Sequence, residues 1–281
     1  MTELNDNDVL VGSGRPPNRR DFLKLSGAAA LAVWLGACAP KGADVGAIIM
    51  EGQKNLELLP MPIREGMGQI TVTQEDYGVK NPGAIEDTAT CFVFEETKEK
   101  IVLVADQKFM AGFYWHNVRV NFPESSTLKT VNVPDAQLGD PNYNKQPNDS
   151  DWLVSQPFRT MNLLFIEIQK PKNSTERVTG KDYKYTVSEN PPKEGEACLC
   201  AGFPDDNGFA IGEGVKYKDT VTITLEDGTK QLLYRFEGTF IPGMEGGHIA
   251  NIAGEAFAVT TTLKQEEGHI FGVPVVGSVI G

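Results

Sequence analysis

The chain has 281 residues, with 26 Lys and Arg against 38 Asp and Glu, a net charge of −12. That balance excludes the basic face a nucleic-acid binder needs and electrostatic docking onto anionic lipid. A hydrophobic share of 40% with 23% charged residues excludes a disordered polymer, and 29 Gly with 17 Pro favour many turns over long helices.

The N-terminal region carries an address. Arg19 and Arg20, followed by Phe22, Leu23 and Lys24, resemble a twin-arginine export signal. An apolar stretch from Leu25 to Ala37 follows, too short to span a bilayer. It ends Leu35-Gly36-Ala37-Cys38, which resembles a lipobox, so Cys38 is the expected site of acylation and cleavage. Acyl chains on Cys38 would make the membrane a partner and place the chain outside the cytoplasm. The expected organisation is a signal over 1–37, an acylated tether over 38–65, a first strand-rich unit over 66–172, and a linker with a second unit over 173–281.

Beyond the tether the hydrophobic period is two. Gln69–Val72 alternates, and Cys91–Phe94 and Ile101–Val104 are joined by a charged turn. Val118–Val120, Leu128–Val133 and Leu163–Ile166 follow. The polar segment Lys170–Pro192 reads as a linker. Val221–Leu225 and Leu233–Phe236 flank Glu226-Asp227-Gly228-Thr229, a hairpin turn. Short strands at this spacing predict an all-β sandwich or barrels.

Metal or cofactor ligands are sparse. His116, His248 and His269 and the thiols Cys91, Cys198 and Cys200 form neither CxxC nor HxxxH, so no cofactor is expected. Cys198 and Cys200 share one face of a strand and read as small buried thiols. Asp205-Asp206-Asn207-Gly208 departs from the calcium-loop spacing and reads as a turn.

Residues 242–260 begin Pro-Gly-Met-Glu-Gly-Gly-His and continue into apolar strands. They resemble the nucleophile segment of trypsin-like (chymotrypsin-fold) serine proteases, in which Gly-x-Ser-Gly-Gly-Pro is followed by a strand, a turn and a second strand. The hairpin ending Ala105-Asp106, the strand opening Asn162-Leu163-Leu164, the run Cys198–Pro204 and the closing run Gly268–Pro274 match the same family in order. The resemblance implies two six-stranded antiparallel β-barrels. It implies that Gly243 frees backbone N–H groups for an oxyanion, while Gly246 and Gly247 admit a neighbouring strand.

Three positions depart from that family. Asp106 stands in the place of the general base, Asn162 in that of the orienting aspartate and Glu245 in that of the nucleophilic serine. A triad needs a nucleophile, a base and a group that orients the base, and these residues supply none in the usual way. A carboxylate at 245 would also repel a developing oxyanion. The resemblance therefore implies a non-catalytic module that binds a protein or peptide, without nucleic acid. The alternatives are a hydrolase using Asp106 and Glu245 as an acid–base pair, or a β-sandwich accessory subunit of a membrane complex. Were hydrolysis to occur, Ser125, Ser126 and Cys91 are the first nucleophiles to consider.

Overall fold

The computed structural model describes residues 59–75, 85–106, 114–133, 152–154, 158–160, 163–204 and 210–275. Arg19, Arg20, Cys38, Asn162 and the turn at 205–208 lie outside the described residues.

A short helix α1 (Met61–Gly66) opens the described chain, at the end of the stretch read as a tether, with Pro62 in its first turn. The first half then builds a nine-stranded antiparallel sheet. Its six longer strands are β1 (Met67–Glu75), β2 (Ile85–Glu96), β3 (Lys100–Asp106), β4 (Tyr114–Asn121), β5 (Thr130–Val133) and β8 (Leu163–Gln169). Three shorter ones are β6 (Leu153–Val154), β7 (Phe158–Thr160) and β9 (Tyr183–Lys184). The second half is a closed barrel of β10 (Ala197–Gly202), β11 (Ala210–Thr224), β12 (Lys230–Glu237), β13 (His248–Asn251), β14 (Ala256–Thr260) and β15 (His269–Pro274). A closed barrel removes the sandwich alternative.

The two halves repeat one topology. The first strand of each lies between the second and fourth, and the third strand lies between the second and the last long strand: β4-β1-β2-β3-β8 in one, β13-β10-β11-β12-β15 in the other. No sequence repeat announces this, because strand pairing fixes only alternation and turn position, which many sequences satisfy.

Both faces of the central strands of the first sheet are buried. On β3, Ile101, Leu103 and Ala105 enter the core of the first half, while Val102 and Val104 join a second cluster. On β2, Cys91 and Val93 divide from Phe92 and Phe94 in the same way, and on β8, Leu164 and Ile166 from Leu163 and Phe165. The second cluster is the seam between halves, shared with Leu199, Phe203, Leu233, Val259 and Phe271. Two-sided burial explains why these strands read as unbroken apolar runs rather than strict alternation. Each buried Val, Leu, Ile or Phe side chain among them contributes roughly 1.5–3 kcal/mol.

The segment between the halves is pinned to both. The Glu96 carboxylate, fully buried, accepts N–H bonds from Val178 (2.9 Å) and Thr179 (2.8 Å), and Lys170 Nζ donates to it at 2.6 Å. Further along, Ala256 N–H donates to Thr186 O (2.9 Å) and Ser188 N–H to Ala256 O (2.9 Å).

Candidate functional site

The glycine-rich segment sits at the seam, and strand parity brings it its neighbours. Asp106 is the last residue of β3, on the same face as Val102 and Val104, so it faces the seam. It is 2% exposed and is paired in register with Leu163, the chain neighbour of Asn162. Thr90, on the same face of β2 as Phe92, is fully buried.

The loop is held by a dense set of backbone bonds. Gly247 N–H donates to Met244 O (2.9 Å), Gly246 N–H to Thr260 O (3.0 Å) and Thr260 N–H to Gly247 O (2.8 Å). The Thr260 hydroxyl reaches the carbonyls of Met244 and Gly247. From the other half, Thr90 N–H donates to Glu245 O (3.1 Å) and its hydroxyl to Gly243 O (2.8 Å). The same hydroxyl accepts from Phe203 N–H at 2.8 Å. Thr90 is thus a three-way clamp across the seam.

The glycines are dictated by this packing. Gly246 has φ 83°, and a Cβ there would stand 2.1 Å from Thr90 O and 3.0 Å from Asp106 N. A Cβ on Gly247 would stand 2.2 Å from Ala201 O. No side chain fits either place. Positions 106 and 246 are therefore in direct apposition, and Glu245 lies between Met244, buried in the second barrel, and this contact.

Glu245 turns back on its own loop. Its Oε2 accepts the Gly243 N–H at 2.7 Å, with Gly243 at φ 90°. The backbone donor that the glycine motif would offer an oxyanion is therefore occupied by a carboxylate from the same loop. His248, which follows Gly247, is fully buried. Its Nδ1 lies 3.0 Å from Met67 Sδ, and its ring meets the rings of Phe92 and Tyr185 edge-on, both at 5.8 Å. Burial pushes its imidazole down to about 3, so the ring is neutral but too weak a base to activate a nucleophile at ordinary pH.

The other expected nucleophiles are engaged elsewhere. Ser125 Oγ donates to Val178 O (2.7 Å) and Ser126 Oγ to Glu65 Oε1 (2.8 Å). Cys91, Cys198 and Cys200 are free, buried thiols, and burial raises all three, Cys198 and Cys200 to about 12. A buried thiol held protonated is a weak nucleophile. Among the described residues, no group of three His, Cys, Asp or Glu is placed to hold a metal ion. Thr90 had no signal in the sequence beyond its place before an apolar strand.

No protein-family model and no curated protein matches the chain. Solved structures do. The active form of the Rv3671c protease from M. tuberculosis is 12% identical with a TM-score of 0.51, covering 80% of this chain and 88% of that one. Its inactive form is 11% identical (TM-score 0.50, covering 79% and 90%), and the inactive Ser343Ala mutant likewise 11% (TM-score 0.50, covering 76% and 82%). At this identity the likeness speaks for architecture alone: the described residues adopt a chymotrypsin-like fold.

Proposed function

We propose that this chain is a non-catalytic module of chymotrypsin-like fold, working as a lipid-anchored binding or scaffold protein outside the cytoplasm. The observation that carries the reading is the Glu245 carboxylate on the Gly243 N–H at 2.7 Å. In a hydrolase, that donor must be free to meet the oxygen on which charge develops. Here it already neutralises a resident anion, and Asp106 brings a second carboxylate to the same end of the seam. Neither Asp106 nor Glu245 is a hydroxyl or thiol nucleophile, and position 106 carries no imidazole to activate one, so these positions do not supply a serine-protease triad. The anchor rests on Arg19, Arg20 and Cys38, whose order and spacing fit export followed by acylation.

The purified chain tests the first half with a fluorogenic peptide library and a serine-directed phosphonate probe. Neither turnover nor labelling is expected, and Glu245→Ser alone should gain nothing, because position 106 holds no imidazole. Turnover by the parent protein that Glu245→Gln or Asp106→Asn abolishes would refute the reading and identify a carboxylate-based hydrolase. Cys38→Ala should leave the chain soluble or as uncleaved precursor; unchanged membrane fractionation and mass would refute the anchor.

A further inference from the structure

A groove of about 1020 Å³ opens at the far end of the first sheet, where β3 begins, and is walled by the ends of β3 and β8 and by the segment 171–182. β3 runs from Lys100 in the groove to Asp106 at the glycine loop, about 20 Å at the usual rise per residue. Peptide binding in the groove therefore neither needs nor tests an inert loop.

The groove reverses the charge of the chain around it. Of its 16 described lining residues, six are cationic (Lys98, Lys100, Lys170, Lys172, Arg177 and Lys181) and three are acidic, in a protein of net charge −12. Three cations are matched: Lys100 to Glu167 at 2.8 Å, Arg177 to Asp182 at 3.4 Å and Lys170 to Glu96 at 2.6 Å. Lys98 and Lys181 are exposed and make no ion pair among the described residues, and Lys172 is exposed beside them.

The wall is built rigidly. Lys170 and Glu96 are fully buried, and Lys170 Nζ also donates to Glu176 O at 2.9 Å. With the bonds from Val178 and Thr179, this pair fixes the loop that carries Lys172 and Lys181. A buried ion pair is weak support for stability, but here it holds a cationic rim in place before any partner arrives, which lowers the cost of binding.

We propose that this groove docks an acidic polypeptide segment of a partner protein. Carboxylate runs suit it better than phosphates. Lys98 and Lys181 are point charges on flexible stems, while the one guanidinium among the described lining residues is already committed to Asp182, which disfavours bidentate phosphate recognition. The chain's net charge of −12 repels polyanions at long range. Salt near 0.15 M, with a screening length of about 8 Å, suppresses that repulsion while contacts inside the groove persist.

Fluorescence anisotropy of a labelled deca-glutamate peptide, titrated with the purified chain at 0.15 M salt, is the test. Saturable binding is expected, weakened at least tenfold by Lys98→Glu with Lys181→Glu, and weakened further by added salt. Both lysines are exposed, so circular dichroism and melting should match the parent. The milder Lys98→Gln with Lys181→Gln should give an intermediate loss. No binding by the parent, or binding indifferent to both variants, would overturn the proposal. Tighter binding of a polyphosphate than of the peptide would overturn the choice of partner.

Discussion

His248 offers the sharpest quantitative check on the packing of the seam. It is fully buried against Met67, Phe92 and Tyr185, its Nε2 has no hydrogen-bond partner among the described residues, and its folded-state value lies at about 3. The unfolded chain takes up a proton near the ordinary value of about 6.5, and the folded chain takes none until near 3. The stability of the neutral, buried ring is therefore complete above about pH 6.5 and is lost as pH falls toward 3. The slope is about 1.4 kcal/mol per unit, so acidification from pH 7.5 to 5.0 should cost about 2 kcal/mol through this residue. Against a typical domain stability of roughly 5–15 kcal/mol, that is easily measured. The assay is urea denaturation of the parent and of His248→Leu at both pH values. Carboxylates elsewhere titrate alike in both proteins and cancel in the comparison. His248→Leu should be about 2 kcal/mol less sensitive to the pH step, and near-neutral or stabilising at pH 7.5, because it removes an unpaired buried nitrogen. Parallel pH dependence in the two proteins would refute the burial of a neutral imidazole at this seam.

Three further perturbations test the elements around it. Gly246→Ala places a methyl 2.1 Å from Thr90 O at a φ of 83° and should cost about 3 kcal/mol or more, read as a lowered urea midpoint or loss of soluble protein. Thr90→Val removes the acceptor of Phe203 N–H and the donor to Gly243 O; the expected loss is about 1–3 kcal/mol, measured by thermal melting. Glu96→Leu leaves Lys170 buried without its partner and should cost about 3–5 kcal/mol in urea denaturation. Adding Lys170→Met should recover part of it, and a double variant no more stable than Glu96→Leu would contradict the pairing.

Much of this architecture was legible in the sequence where one face or both faces of a strand are apolar. Ile101–Val104 and Leu163–Ile166 announce strands because each is buried on two sides. The turn at Glu226–Thr229 announces itself through Gly228, at φ 83°, and Asp227, whose Oδ1 takes Thr229 N–H at 2.8 Å. The sequence shows only the last four residues of β11, Val221–Thr224, because polar residues within Ala210–Thr224 mask the rest of a strand whose pairing is set by its neighbours. Long-range polar contacts were illegible. Glu96 and Lys170 are 74 residues apart, and Thr90 and Gly243 are 153 apart. Each looks like an ordinary polar residue until the fold closes a contact around it.

The glycine-rich loop separates two things that a motif usually delivers together. Gly246 and Gly247 are required by the approach of Thr90 O and Ala201 O, a demand of the seam that would persist whatever residue stood at 245. The Gly243 N–H is a different matter, since its use depends on which acceptor meets it, and here that is Oε2 of Glu245. The part of the pattern that specifies packing and the part that specifies chemistry thus occupy adjacent residues yet answer to independent constraints. A glycine pattern can therefore mark this fold in a sequence 11–12% identical to its structural neighbours while leaving activity open.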